Sequence, residues 1–209
     1  MKLTRKLLFV LILPAVGFFG PAASALPVGD VMSGSTTFFT YGADGRILSG
    51  QVDYAVYTAG PGAVTLEGQY VYAYQITNSG SSNVSIDLFA VGILEGATVI
   101  DIAFDSSVSG GDVEPYSYFS PDQPTAQSAV YLFVPFADGV LESGQQSVVL
   151  LFSSNNEPAQ LKDGFASIAG GGIGGTVKNL PTPIPEPTTI ILLGGSWAMI
   201  AITRRRRFV

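Results

Sequence analysis

The sequence contains no cysteine and no histidine. Disulfides, thiol nucleophiles, His–Cys zinc sites and a Ser-His-Asp triad are therefore excluded. Charge is also scarce, with Asp, Glu, Lys and Arg making up 12% of the 209 residues. Between Leu26 and Pro185 the basic residues are Arg46, Lys162 and Lys178, against fifteen acidic ones, a net charge of −12. So acidic a surface repels phosphate backbones, which removes nucleic acid as a partner. That region shows no sustained helical periodicity, and the single tryptophan, Trp197, falls beyond it. Abundant Gly, Ser, Thr and β-branched residues instead point to a β-rich extracellular domain.

The two chain ends read as addresses. The N-terminus, MKLTRKLLFVLILPAVGFFGPAASALP, places Lys2, Arg5 and Lys6 before an apolar run from Leu7 to Leu13. Ala23-Ser24-Ala25 then supplies a small-residue cleavage site, with the cut expected after Ala25. This is the three-part pattern of a secretory signal peptide over residues 1–25. Pro14 inside the run and the small residues at the cleavage site argue against a retained anchor.

At the other end, Thr188 to Thr203 carries no charge. At about 1.5 Å per residue a helix of that length covers roughly 24 Å, short of a hydrocarbon core of about 30 Å. Trp197 and the arginine stems extend its reach to the interface. Arg204, Arg205, Arg206 and Arg207 follow, and the positive-inside rule keeps them in the cytoplasm. An exported N-terminus gives the same topology independently. Before the helix, Pro185-Glu186-Pro187 favours extended backbone and stops outward growth of the helix. It presents Glu186 as an isolated carboxylate near the membrane.

The tripeptide, the short apolar helix and the terminal arginine cluster together resemble the PEP-CTERM sorting signal of Gram-negative bacteria. The resemblance covers about twenty-five C-terminal residues, and Ile184 stands where the family often has Val. It implies that Pro185, Glu186 and Pro187 form the motif recognised by exosortase, a membrane-embedded cysteine protease-transpeptidase-like enzyme. It implies Arg204 to Arg207 as the cytoplasmic stop. It also implies an inner-membrane-anchored precursor, later placed at the cell surface or in the extracellular matrix and associated with exopolysaccharide or biofilm. The alternative is a plain membrane anchor with a stop-transfer cluster, which leaves Pro-Glu-Pro to chance. A Gram-positive sortase signal is excluded, because Leu180 to Ile184 lacks the required Thr-Gly.

The middle of the chain predicts one all-β domain over 26–168, a two-sheet β-sandwich, followed by a Gly/Pro-rich spacer over 169–184 and the sorting signal over 185–209. The spacer glycines lack the Lys-Ser/Thr pair of a phosphate-binding loop. Strands are expected at Thr36–Tyr41, Gly50–Ala59, Thr98–Phe104, Ser128–Phe136 and Ser147–Phe152, with a tight turn at Asp44-Gly45. The clearest hairpin is predicted between a strand from Tyr70 and a return strand at Val84–Ile93, turning at Asn78–Asn83. Core candidates are Val52, Val56, Tyr72, Tyr74, Ile76, Leu88, Leu132, Val149 and Leu151.

Chemistry is sparsely signalled. Without His or Cys, catalysis would need a carboxylate pair or a Ser-Lys dyad. Lys162 lacks a Ser-x-x-Lys partner, so no catalytic residue, no cofactor and no enzyme is predicted. Asp101, Asp105, Asp112 and Glu114 are calcium candidates, although EF-hand spacing is missing. Tyr54, Tyr57, Tyr70, Tyr116 and Tyr118 could stack on sugars, but alternating Tyr is ordinary strand composition. The sequence thus predicts an exported structural or adhesive protein. A carbohydrate- or calcium-binding module is the alternative.

Overall fold

The computed structural model describes residues 30–58, 66–94, 96–107, 111, 113–120, 128–134, 139–160 and 166–184. The signal peptide, Asp112, the Pro-Glu-Pro motif, the apolar segment after it and the arginine cluster lie outside the described residues. Among the described residues, no helix is long and apolar enough to cross a membrane.

The described chain is all-β. Twelve strands run in order as β1 (Asp30–Tyr41), β2 (Ile47–Thr58), β3 (Tyr70–Asn78), β4 (Leu88–Gly92), β5 (Asp101–Asp105), β6 (Ser117–Phe119), β7 (Ser128–Leu132), β8 (Val149–Ser154), β9 (Pro158–Gln160), β10 (Ala166–Gly170), β11 (Ile173–Val177) and β12 (Pro181–Pro183). One antiparallel sheet has the order β1-β2-β3-β8-β5, and a second has the order β11-β10-β4-β7-β6. β12 and β9 form a short separate pair. The two large sheets pack on one another and share one core.

That core is built on alternation. Val52, Tyr54 and Val56 on β2, with Tyr72, Tyr74 and Ile76 on β3, point to the same inner face and are buried. Phe89 and Tyr131 answer from the other sheet. The rings form a connected stack. Tyr72 and Phe152 lie 4.7 Å apart at an interplanar angle of 6°, Tyr74 meets Phe89 at 5.8 Å, and Phe89 meets Tyr131 at 6.4 Å. Burying each such ring is worth about 1.5–3 kcal/mol. The hydroxyls are satisfied by carbonyls: Tyr72 donates to Asn156, Tyr74 to Pro181 and Tyr131 to Leu151, at 2.7–2.8 Å.

The β1–β2 turn falls where Asp44-Gly45 signals it. Gly45 takes φ +84°, and the Gly42 amide donates to the Arg46 carbonyl at 2.8 Å. The predicted hairpin from Tyr70 to Ile93 does not form. β3 is already flanked by β2 and β8, and β4 by β10 and β7, so the chain crosses from one sheet to the other between them. Asn78 holds this corner, donating its carboxamide protons to the Val84 and Leu141 carbonyls at 3.0 and 2.9 Å.

The expected spacer over 169–184 is instead part of the fold. Gly170 pairs with Ile173 across a two-residue turn, with Gly171 and Gly172 at φ +54° and +79°. Two successive positive φ values suit the twist of a tight hairpin, and glycine reaches them without strain. The glycine run therefore reads as hairpin chemistry. Beyond it, Leu180 and β12 are buried, Thr182 donates to the Gly92 carbonyl at 2.8 Å, and the Ile184 amide donates to the Glu157 carbonyl at 3.0 Å. The domain boundary expected at 168 thus lies beyond β12.

Two pairs of core candidates are also corrected. Leu88 and Leu132 face each other across β4 and β7 but are only half-buried, because Phe89 and Tyr131 take the inner positions. Val149 and Leu151 are buried on the outer face of the first sheet, with Tyr57, Val71 and Ala73. Leu150 and Phe152 fill the shared core instead. A continuous apolar run such as Val148–Phe152 carries no parity, so its inner face cannot be read from periodicity.

Candidate functional site

Of the acidic residues singled out by sequence, Asp112 lies outside the described residues, and Asp101, Asp105 and Glu114 do not form a group of three. Asp101 and Asp105 sit at opposite ends of β5, four residues or about 13 Å apart on an extended strand. Each is engaged locally. The Asp101 carboxylate accepts from the Ile102 amide at 2.9 Å, and Asp105 accepts from the Ser107 amide and hydroxyl at 2.8 and 2.6 Å. Among the described residues, no three His, Cys, Asp or Glu side chains are grouped to hold a metal ion.

The tyrosines divide. Tyr54 and Tyr57 are buried and Tyr70 is half-buried, while Tyr116 is 63% exposed and Tyr118 40% exposed. Tyr118 leans edge-on against Phe104 at 5.7 Å. Tyr116, Tyr118 and Phe119 therefore belong to the edge of the second sheet.

The described residues do form a cleft elsewhere, of about 610 Å³, against the outer face of the first sheet. Registry sets its side chains. Phe38 points into the core, so Phe39 points out. Thr37 pairs with Gln51, and Gln51 with Thr77, which makes one outward row across β1, β2 and β3. Phe39 pairs with Ser49 in the next row. The Ser79 amide donates to the Ser49 carbonyl at 2.9 Å and extends that row into the turn after β3. Phe39 is 69% exposed, the most open of the large apolar side chains described.

The turn adds hydroxyls. Ser49 and Ser81 hydroxyls lie 3.1 Å apart, Ser79 and Ser81 hydroxyls 2.9 Å apart, and the Ser81 amide donates to Ser79 Oγ at 3.2 Å. Gln51 is oriented by donating to Asp53 at 2.7 Å. Gly50 is required at its position, since a Cβ there would strike the Thr77 carbonyl and approach the Phe38 ring to 2.6 Å. Gly80 and Gly144 leave further rim positions without side chains.

No lining residue of this cleft is ionisable. The nearest carboxylate is that of Asp53, already engaged by Gln51 at 2.7 Å. The exposed Asp44–Arg46 ion pair, also 2.7 Å, lies beyond it, and its guanidinium holds the Asp44 carboxyl below its ordinary range. The cleft thus offers one exposed ring, a string of hydroxyls and an amide oriented by the one adjoining carboxylate, Asp53. Sequence reasoning missed Phe39, Ser49 and Gln51. The alternation over Thr36–Tyr41 held the signal, because it sends Phe39 and Tyr41 to the face opposite Phe38.

No protein-family model matches this chain, and neither a curated protein nor a solved structure matches it significantly.

Proposed function

We propose that this chain is an exported surface or extracellular-matrix protein, handled through its C-terminal segment by a membrane-embedded sorting protease of the exosortase type. One observation carries the reading. Pro185-Glu186-Pro187, an uncharged run over 188–203 and four arginines follow one another, in a chain whose other end has the pattern of a secretory leader. The role proposed for the β domain is structural and adhesive, within the envelope or its polysaccharide layer. An acidic, cysteine-free antiparallel domain suits that place, being soluble and independent of redox conditions.

The folded domain bears on how such a signal would be used. Its last backbone hydrogen bond described is made by Ile184, the residue immediately before the tripeptide. The protease would thus meet its motif directly against a folded body, without an intervening linker. The test is the intact mass of the cell-surface form in strains with and without the sorting enzyme. Processing predicts a truncated form lacking the fluorescence of Trp197 in the first strain. A full-length tail in both strains would overturn the sorting reading and leave a plain membrane anchor.

A further inference from the structure

We infer that the cleft beside Phe39 binds an uncharged polysaccharide segment. This deepens the adhesive part of the reading above by giving it a site and a ligand class. It does not depend on the sorting step.

The argument starts from what the cleft lacks. Its lining carries no ionisable side chain in a domain whose charge is otherwise strongly negative. An anionic ligand would find no cationic partner there and would meet the Asp53 carboxylate beside Gln51, and the one carboxylate a cation could use is already engaged by that amide. Desolvating an unpaired charge is costly. A purely apolar ligand fits no better. It would cover the hydroxyls of Ser79 and Ser81, which buried Ser49 backs, and the amide of Gln51 without replacing their bonds to water.

The ligand that fits has apolar faces and a dense fringe of neutral donors and acceptors. A hexose ring has both. Its C–H face matches the 69% exposed ring of Phe39, and its hydroxyls match the serine string. Each serine hydroxyl can donate once and accept twice. The contacts among Ser49, Ser79 and Ser81 therefore fix their positions without exhausting their capacity. The glycine at position 80 lets a ligand approach the backbone.

The test uses the full-length chain in a phosphocholine detergent, so that no sugar headgroup competes. Neutral gluco-, manno- and galacto-hexasaccharides are titrated by calorimetry beside hexauronates. At least one neutral series should bind saturably, and the hexauronates should not. Phe39→Ala should weaken binding about tenfold, while Phe39→Trp should retain it. Phe39→Ala replaces an exposed side chain, and its thermal midpoint checks the fold. Gly80→Gln, at a position where an added Cβ meets nothing within 4 Å, provides a second variant that crowds the cleft and should also weaken binding. The inference is overturned by the absence of saturable binding to every neutral series, by preferred binding of uronates, or by full affinity in both Phe39→Ala and Gly80→Gln. An unprocessed tail combined with intact sugar binding would remove the sorting reading and leave this one standing.

Discussion

The hydroxyl of Tyr74, fully buried between the sheets, donates a 2.7 Å hydrogen bond to the carbonyl of Pro181. A core residue of β3 thereby holds the last strand described, 107 residues away. Tyr74→Phe keeps the ring stack and removes only this bond. It should cost about 1–2 kcal/mol, the price of losing a buried hydrogen bond with its acceptor left in place. Urea denaturation would measure the loss as a lower midpoint with an unchanged slope. An unchanged midpoint would mean that β12 is held without Tyr74.

Three tyrosines should make the domain sensitive to alkali. Burial pushes the Tyr72, Tyr74 and Tyr131 hydroxyls well above the ordinary phenol range, with neighbouring Tyr70 and Glu157 adding to the effect at Tyr72. Their folded-state affinity for protons exceeds that of the unfolded chain, where a tyrosine titrates near 10. Stability from these groups is therefore complete below about pH 10 and falls as pH rises through and beyond it. With three groups the slope approaches roughly 4 kcal/mol per pH unit. Absorbance at the tyrosinate band should show a late titration step that coincides with loss of the β circular dichroism signal. Smooth titration of all tyrosines with the fold intact would contradict it.

Two neighbouring glycines should respond oppositely to alanine. At Gly170 a Cβ would strike the Ser85 carbonyl oxygen and come within 3.0 Å of Ile86 Cα, so the backbone must move. Gly170→Ala should destabilise by about 1–3 kcal/mol through overpacking. At Gly174 the nearest atoms lie at 3.5 and 3.7 Å, which is ordinary contact. Gly174→Ala should be neutral or slightly stabilising, because it reduces the freedom of the unfolded chain. Thermal midpoints of the two variants decide the matter, and equal midpoints would contradict the close approach of Gly170 to the Ser85–Ile86 backbone.

Asn78 is fully buried and donates to two carbonyls at the crossing between sheets, while its own Oδ1 has no partner. Both carbonyls keep a second donor, from Ser82 and Ile86, so Asn78→Ala should cost about 2 kcal/mol. Asn78→Asp should cost more near neutral pH, where a carboxylate would face two carbonyl oxygens without compensation. Burial raises the carboxyl pKa in the folded variant. Its stability should therefore be greatest at acid pH and fall as pH rises through that raised value. A pH-independent difference between the aspartate and asparagine forms would show that the side chain escapes to solvent.

What the sequence disclosed depended on whether a local signal had one physical meaning. Alternation over Gly50–Thr58 and Tyr70–Ile76 assigned the inner face correctly, because each strand mixes large apolar and small or polar residues. The Asp44-Gly45 turn was equally plain. Pairing was not. The serine-rich Asn78–Asn83 segment can close a hairpin or turn a corner between sheets, and the choice was made by β2 on one edge of β3 and by β8, from distant sequence, on the other. The run Ala169–Gly175 was ambiguous in the same way, since glycine serves both linkers and tight hairpins. The cleft was hidden for a related reason. It joins Phe39, Gln51 and Ser81, which become neighbours only after three strands are registered.

The pairing of β12 with β9 also sets how the domain would respond to tension. A pull entering from beyond Ile184 reaches the fold at a ladder of three paired residues, whereas the β1–β2 ladder holds eleven. The short ladder is the mechanical fuse. Its failure would strip Pro181 from Tyr74 and open the core beside Leu180, while the β1–β2 ladder and the serine turn stayed intact. A molecule built this way could yield at its tether and keep its grip.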